Sequence, residues 1–211
     1  MRREHRLFAA LYDRLTAPAE RNGLADLRRE LVNPLRGDVV ELGAGTGANL
    51  RYYGAVRTLT LVEPDGAMAR RLQVRAAEYP QLPIVIRTAT LEEVGMLDQS
   101  VDAVVCTLVL CSVADPVAVL TEVRRILRPD GVLVLVEHVR HATTMAALVQ
   151  SVLTPLQRLV AGGCRLDRPT GTTLARAGFD LSEVRPVGVL SRLPLLSSAI
   201  AGRARPAGAV G

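Results

Sequence analysis

Val39-Val40-Glu41-Leu42-Gly43-Ala44-Gly45-Thr46-Gly47-Ala48-Asn49 is an apolar run that passes directly into a glycine-rich turn. Its first four residues read as a strand buried on both faces, and the turn opens a helical stretch predicted over Gly47 to Tyr53. Gly43 and Gly45 can take backbone angles denied to other residues and put no side chain between main chain and ligand. The helix that follows would offer free amides. The loop therefore predicts a bound ligand, but spacing alone leaves its identity open. Gly43-x-Gly45-x-x-Ala48 also fits the dinucleotide fingerprint, with Glu63 standing about 20 residues on at the end of the next strand, so NAD remains a candidate. A carboxylate at position 63 can accept from both ribose hydroxyls of either ligand. It predicts an adenosine ribose without choosing between cofactors.

Outward from the loop, short apolar runs alternate with helix-like stretches, the pattern of parallel strands joined by crossover helices. Strands are predicted at Asp38 to Leu42, Thr58 to Val62, Pro83 to Thr88, Val101 to Thr107 and Val132 to His138. Helices are predicted at Gly66 to Tyr79 and Pro116 to Leu127, the latter capped by Asp115 and stopped by Pro129 and Gly131. Two more, at Arg3 to Leu15 and Pro18 to Leu31, precede the first strand, and another runs from Thr143 to Val160. Leu181 to Val189 and Leu195 to Ala201, interrupted by Pro186, Gly188 and Pro194, suit an antiparallel hairpin at a sheet edge. The expected fold class is α/β, a doubly wound, seven-stranded, mostly parallel sheet. One domain is expected over 1–203, with N-terminal capping helices over 1–35, a helical substrate cap over 143–178 and a flexible tail over 204–211.

Composition narrows the functional classes. In 211 residues, 49% are hydrophobic and 22% charged, which excludes disordered, collagen-like and coiled-coil chains. No apolar run is long enough to span a bilayer, and the start MRREHR lacks the apolar region of a signal peptide, so a cytoplasmic location without stable membrane insertion is expected. All 26 basic residues are arginine, a usage that reflects a GC-rich bacterial genome as much as any site. Net charge is +5, but aromatic residues are only 3%, too few for base stacking, so nucleic acid is not an expected partner. Cys106, Cys111 and Cys164 are an odd number, none at the spacing of a zinc motif. Neither a disulfide nor a metal is expected.

Four segments in order resemble class I S-adenosylmethionine-dependent methyltransferases: Glu41 to Gly47, Leu61-Val62-Glu63-Pro64, Asp98 to Asp102 and Arg125 to Gly131. A closer likeness is to the branch that includes alkyl thiol methyltransferases, carried by Gly47 to Leu50, Val105 to Val113, Glu137-His138-Val139 and Gly162 to Arg168. The resemblance implies a Rossmann-like methyltransferase fold with S-adenosyl-L-methionine as cofactor. It places Gly43, Ala44 and Gly45 under the methionine part, with Gly47 and Asn49 following, Glu41 near the ammonium group, and Glu63 with Pro64 at the ribose. Leu91 would meet the adenine edge. Thr90 stands where the family often has an aspartate. Cys106 and Leu108 would lie against the cofactor, and Tyr12 either closes over it or packs in the core.

A sulfonium methyl is already electrophilic, so the protein has to hold an acceptor in line with it. A thiol asks least of a base; an alcohol asks most. His138, at the carboxyl end of a central strand, is the candidate base, its alternative being a structural histidine. Cys111, Leu153 and Cys164 are the other candidate acceptor-lining residues. The helix carrying Leu153 is expected to roof the acceptor pocket or cover the sheet, and Arg165 and Arg168 to serve anionic substrate groups or, the favoured reading, to pair with Asp167 at the surface. The expected partner is a lipophilic small molecule, a thiol first. O- or N-methylation of a metabolite, quinone precursor or phospholipid head group, an NAD-dependent oxidoreductase and a non-catalytic cofactor-binding module stay open. Oligomeric state is not addressed by the sequence.

Overall fold

The computed structural model describes residues 5–160, 162–188 and 198–208. β1 (Asp38–Leu42), β2 (Thr58–Val62), β3 (Ile84–Arg87), β4 (Val101–Thr107), β5 (Leu127–His138), β6 (Phe179–Val187) and β7 (Ala199–Pro206) form one sheet of order β3-β2-β1-β4-β5-β7-β6. The first five strands are parallel, and β7 runs antiparallel to both β5 and β6. Strand order reverses between β1 and β4. In open α/β sheets the crevice at the carboxyl ends beside such a reversal is where ligands sit.

The strands take this form because their side chains have apolar partners on both faces. Val39, Leu59, Leu61, Ala103, Val105, Val134 and Val136 face one layer, with Leu24, Leu27 and Leu31 above them. Val40, Leu42, Val104, Cys106, Leu133 and Leu135 face the other, against Leu120, Val123 and Ile126. Each fully buried leucine contributes about 1.5–3 kcal/mol, which is why the central strands read as unbroken apolar runs.

Helix positions follow the expected caps with several differences. The Asp115 side chain accepts from the amides of Val117 and Ala118 and starts α5 (Pro116–Ile126); Asp65 does the same for α3 (Gly66–Ala76). The N-terminal pair is divided at Gly23, φ +114, and not before Pro18: α1 covers Arg6–Ala19, a π turn covers Glu20–Leu24, and α2 covers Ala25–Val32. A proline tolerates a continuing helix better where the turn before it is already formed; glycine supplies the break. The helix expected over Gly47 to Tyr53 is only a turn and a short 3-10 segment, Leu50–Tyr52. The single-turn helix α4 (Leu91–Val94) and α7 (Thr170–Arg176) are additional elements. α6 spans Thr144–Val160.

Two sequence expectations need correction at the C-terminus. The second hairpin strand runs through Pro206, pairing Leu133 with Ala204, which is fully buried. Residues 204–206 are therefore strand and not tail. The expected start of that strand at Leu195 lies outside the described residues. α6 is also turned differently than its apolar pattern suggests. Ala146, Ala147, Gln150 and Thr154 are buried, whereas Met145, Leu148, Val152 and Leu156 are exposed. Small and polar residues pack more closely against the body here than the large apolar ones could.

Candidate active site

The turn after β1 holds three glycines with positive φ, and they serve different ends. A Cβ on Gly43 would meet a Val109 methyl at 2.8 Å, and one on Gly47 would meet Leu50 and Leu72 at 2.8 and 2.9 Å. Both are glycine for packing. A Cβ on Gly45, φ +59, would come no closer than 3.8 Å to the Gly43 carbonyl and 3.9 Å to the Tyr12 ring. Of the three, only Gly45 has room for a Cβ, at ordinary van der Waals distance from its neighbours, so side-chain packing is not what requires glycine there. The Tyr12 ring bounds that space from α1, edge-on to Phe8 at 5.5 Å between centroids.

Side chains from three directions fix the loop. Glu63, just after β2, accepts from the Gly45 amide at 2.8 Å and from the Asp65 amide at 2.8 Å, one bond to each carboxylate oxygen. Burial raises its pKa, opposed by those two amides. Each oxygen keeps a second lone pair, so the carboxylate retains capacity for ribose hydroxyls. Ala44 N–H bonds the Val62 carbonyl. The Thr46 hydroxyl donates to Asp13 on α1 at 2.6 Å and accepts from Arg75 on α3 at 3.2 Å. Pro64 is exposed beside Glu63.

Beneath the loop lies a buried polar network. Glu41, 3% exposed, accepts from Tyr53 Oη at 2.7 Å and Asn49 Nδ2 at 3.0 Å. Burial pushes its pKa to about 7. Asn49 also donates to Thr107 and accepts from Arg28, which pairs with Glu20. Glu41 and Asn49 are closed off from solvent with protein partners on their polar atoms, and they support the loop from below. The buried Arg28 requires acceptors there, and nothing in its arginine-rich surroundings marks it in sequence.

Three further candidate positions have the following surroundings. Cys106 is fully buried in register between Leu42 and Leu135, a core residue whose thiol pKa burial raises well above its usual value. Gly47 packs, as described. Thr90 caps α4 reciprocally with Glu93, its hydroxyl donating to that carboxylate at 3.1 Å. The hydroxyl is thus committed to the helix start. Leu91 begins α4 with its side chain in the core.

At the neighbouring strand ends the chain turns on a carboxylate. Leu108 has φ +61, a conformation that costs a non-glycine residue about 1–3 kcal/mol and persists only when its surroundings enforce it. Glu137, fully buried on β5, supplies the enforcement by accepting from the amides of Val109, Leu110 and Cys111 at 2.7, 2.8 and 3.1 Å. Burial raises its pKa to about 7 against those three bonds. Arg168 closes the same turn from outside, donating to the carbonyls of Leu110 and Val113. It is buried, not surface-paired with Asp167; Arg165 is the one that pairs there.

That turn delivers Cys111 to the other acceptor-side residues. Cys111 Sγ is 4.0 Å and Cys164 Sγ 3.4 Å from His138 Nδ1, and Leu153 packs on Cys111, Cys164 and Leu166. Four residues picked from distant parts of the sequence are brought together. Of the two thiols Cys164 is the one held below its usual pKa, by hydrogen bonds from Cys111 and His138. His141 lies in the loop after β5, its ring bonded to Thr143, and His5 contacts Asp65. Burial raises the Tyr12 pKa. Among the described residues no helix is long and apolar enough to cross a membrane.

The architecture has known counterparts. Residues 40–135 match the family model of a methyltransferase domain. The chain is 40% identical over 152 residues to the thiol S-methyltransferase TMT1B of Rattus norvegicus, covering 70% of this chain and 61% of that one. It is 35% identical over 178 residues to human thiol S-methyltransferase TMT1A, covering 82% and 72%. It thus spans between three fifths and three quarters of the length of these relatives. A solved S-adenosylmethionine-dependent methyltransferase from Mesorhizobium loti superimposes with a TM-score of 0.65 at 20% identity, over 90% of this chain and 99% of that one.

Proposed function

Because the chain belongs to the S-adenosylmethionine-dependent methyltransferase family that includes the thiol S-methyltransferases, we propose that it methylates the sulfur of a lipophilic small-molecule thiol. The single observation that carries the acceptor side of this reading is the convergence of Cys111, His138, Cys164 and Leu153 beside the Leu108 turn. The room left at Gly45, where no side chain stands between main chain and ligand, supports the cofactor side of this reading. When bound, S-adenosyl-L-methionine supplies a methyl group on a sulfonium, electrophilic without further activation.

What the chain contributes is placement and control of a proton. Gly43, Ala44 and Gly45 form the floor, Glu63 holds the loop and offers lone pairs to the ribose, Leu91 borders the adenine side, and Tyr12 covers the cleft. Leu108 and the turn held by Glu137 stand between cofactor and acceptor. Leu153 gives the acceptor pocket an apolar wall. A free thiol near pKa 8.5 is a few per cent thiolate at neutral pH, so a modest aid to deprotonation suffices. His138 assists that deprotonation. Glu41, Asn49 and Glu137 are positioning residues.

The test is transfer of labelled methyl from S-adenosylmethionine to a panel of alkyl thiols, phenols and amines. Thiol-selective labelling is expected, with His138→Ala lowering the rate at pH 7 about 10- to 100-fold and less at pH 9, where the acceptor ionises unaided. Equal labelling of phenols or amines would overturn the thiol acceptor.

A further inference from the structure

We propose that Cys111, His138 and Cys164 form a binding site for one soft divalent cation, zinc by ligand preference, with a fourth coordination position left for a thiolate. The three ligand atoms lie within 4.8 Å of one another, and the two Sγ to Nδ1 separations are 3.4 and 4.0 Å. Around a tetrahedral zinc with Zn–S about 2.3 Å and Zn–N about 2.0–2.1 Å, sulfur and nitrogen stand about 3.6 Å apart and two sulfurs about 3.8 Å. The observed sulfur–nitrogen separations bracket the first value, and the 4.8 Å bound leaves the two sulfurs within about 1 Å of the second, so an ion fits with side-chain shifts of that order. Two thiolates and an imidazole with one open position form a catalytic zinc donor set; structural sites close all four.

The ligands arrive from three separate elements, and the surrounding structure holds each in place. The Cys111 amide donates to Glu137 and its carbonyl accepts from the Arg165 amide at 2.9 Å. The His138 carbonyl accepts from Thr170 Oγ1 at 3.1 Å, and Arg168 clamps the carbonyls on either side of Cys111. Such outer partners orient metal ligands elsewhere. Cys111 is fully enclosed and Cys164 nearly so, whereas His138 is half-buried and marks the side open to an incoming group. Two thiolates cancel the charge of the ion. Sequence spacing conceals the site because 26 to 27 residues separate successive ligands.

The role of the fourth position rests on the thiol reading of the acceptor. An acceptor thiol that coordinates there releases its S–H proton to water and remains a thiolate at neutral pH. No electrons are transferred, and His138 assists deprotonation as a ligand.

The experiment uses the full chain, purified under reducing conditions, stripped with a chelator and titrated with cobalt(II) alone. One equivalent should bind, with thiolate-to-cobalt charge-transfer absorption and the visible bands of a tetrahedral ion, both displaced by zinc. Cys164→Ser and His138→Ala should each weaken cobalt binding by about 100-fold or more, beyond the ~10–100-fold that outer partners contribute. Retained S-adenosylhomocysteine binding by both variants establishes that they fold. Addition of 2-mercaptoethanol should shift the visible bands; an unchanged spectrum would overturn the open position. Absence of cobalt bands at saturation, or bands unaltered in both variants, would overturn the site. Methyl transfer to phenols or amines with the cobalt spectrum intact would instead remove the thiol acceptor and leave the metal site standing.

Discussion

The exits of β1 and β4 sit side by side and solve the same problem in opposite ways. Each must turn the chain sharply at the carboxyl edge of the sheet, and each has a buried glutamate beneath it with its pKa raised to about 7. After β1 the unusual backbone angles are taken by glycines, and Glu41 binds side chains, Tyr53 and Asn49. After β4 the unusual angle falls on Leu108, and Glu137 binds the next three backbone amides directly. One turn is shaped by its own residues. The other is shaped by a carboxylate arriving from β5, so its geometry depends on tertiary structure being complete.

The sharpest way to break this contrast is within the glycine loop. Gly45→Val should abolish S-adenosylhomocysteine binding by calorimetry, because the side chain fills the open approach over the loop, while strain at φ +59 costs stability about 1–2 kcal/mol. Gly47→Val should instead be mainly a stability lesion, its Cβ driven into Leu50 and Leu72. If Gly45→Val binds normally, the division between a ligand glycine and packing glycines is wrong.

Next in size is Glu63→Ala. It removes charge-assisted hydrogen bonds worth about 1.5–3 kcal/mol each, so the affinity for S-adenosylhomocysteine should fall about 10- to 100-fold with the fold intact by circular dichroism. Unchanged affinity would remove Glu63 from the ribose role and leave it a loop anchor.

These two predictions rest on residues at a recognisable spacing within one strand–turn–strand segment, which is why the cofactor half was legible there. Gly45 and Glu63 carry their meaning through local geometry: strand, turn, strand end. The parallel order of five strands was legible for the same reason, since doubly buried strands must be apolar throughout. The acceptor half was legible only as separate candidates. Cys111, His138, Leu153 and Cys164 share no spacing rule, and the side chains that bring them together, Glu137 and Arg168, look in sequence like a strand carboxylate and a surface arginine. Arg28 escaped the sequence reading by the same limitation, because a buried ion network is defined by partners and not by pattern. The strand β7 was ended too early, at Ala201, because Gly202 and Pro206 resemble loop residues until β5 and β6 are seen to pair with it.

The buried glutamates also set a pH dependence that sharpens the comparison. A carboxyl held near 7 in the folded protein and near 4.5 when unfolded binds its proton more tightly in the native state. Its contribution is therefore full below about pH 4.5 and is lost as pH rises through about 7. Asp38, held below the usual range by Arg57, and Asp102, held there against its partial burial by the Asp38 amide and Arg128, act in the opposite direction and lose their contribution as pH falls below about 4. Urea unfolding should show stability declining between pH 5 and 7.5. Glu137→Gln should be less stable, because one of the two acceptor oxygens becomes an amide nitrogen, and should show a smaller decline, the remainder belonging to Glu41 and Glu63. An undiminished slope would mean that Glu137 is ionised across this range and that the Leu108 turn is held by a full charge.

The smallest effect is expected at Thr90. Its hydroxyl is occupied with Glu93 at the start of α4, so Thr90→Ala should cost about 1 kcal/mol of stability through the lost cap and change S-adenosylhomocysteine affinity less than twofold. Thr90→Asp separates the two roles, because an aspartate also caps a helix while offering an acceptor toward the adenine side. If it tightens binding and preserves stability, the turn after β3 carries an adenine contact that threonine leaves unused. If it weakens binding, repulsion between the introduced carboxylate and Glu93 dominates, and the helix start is closed to the cofactor.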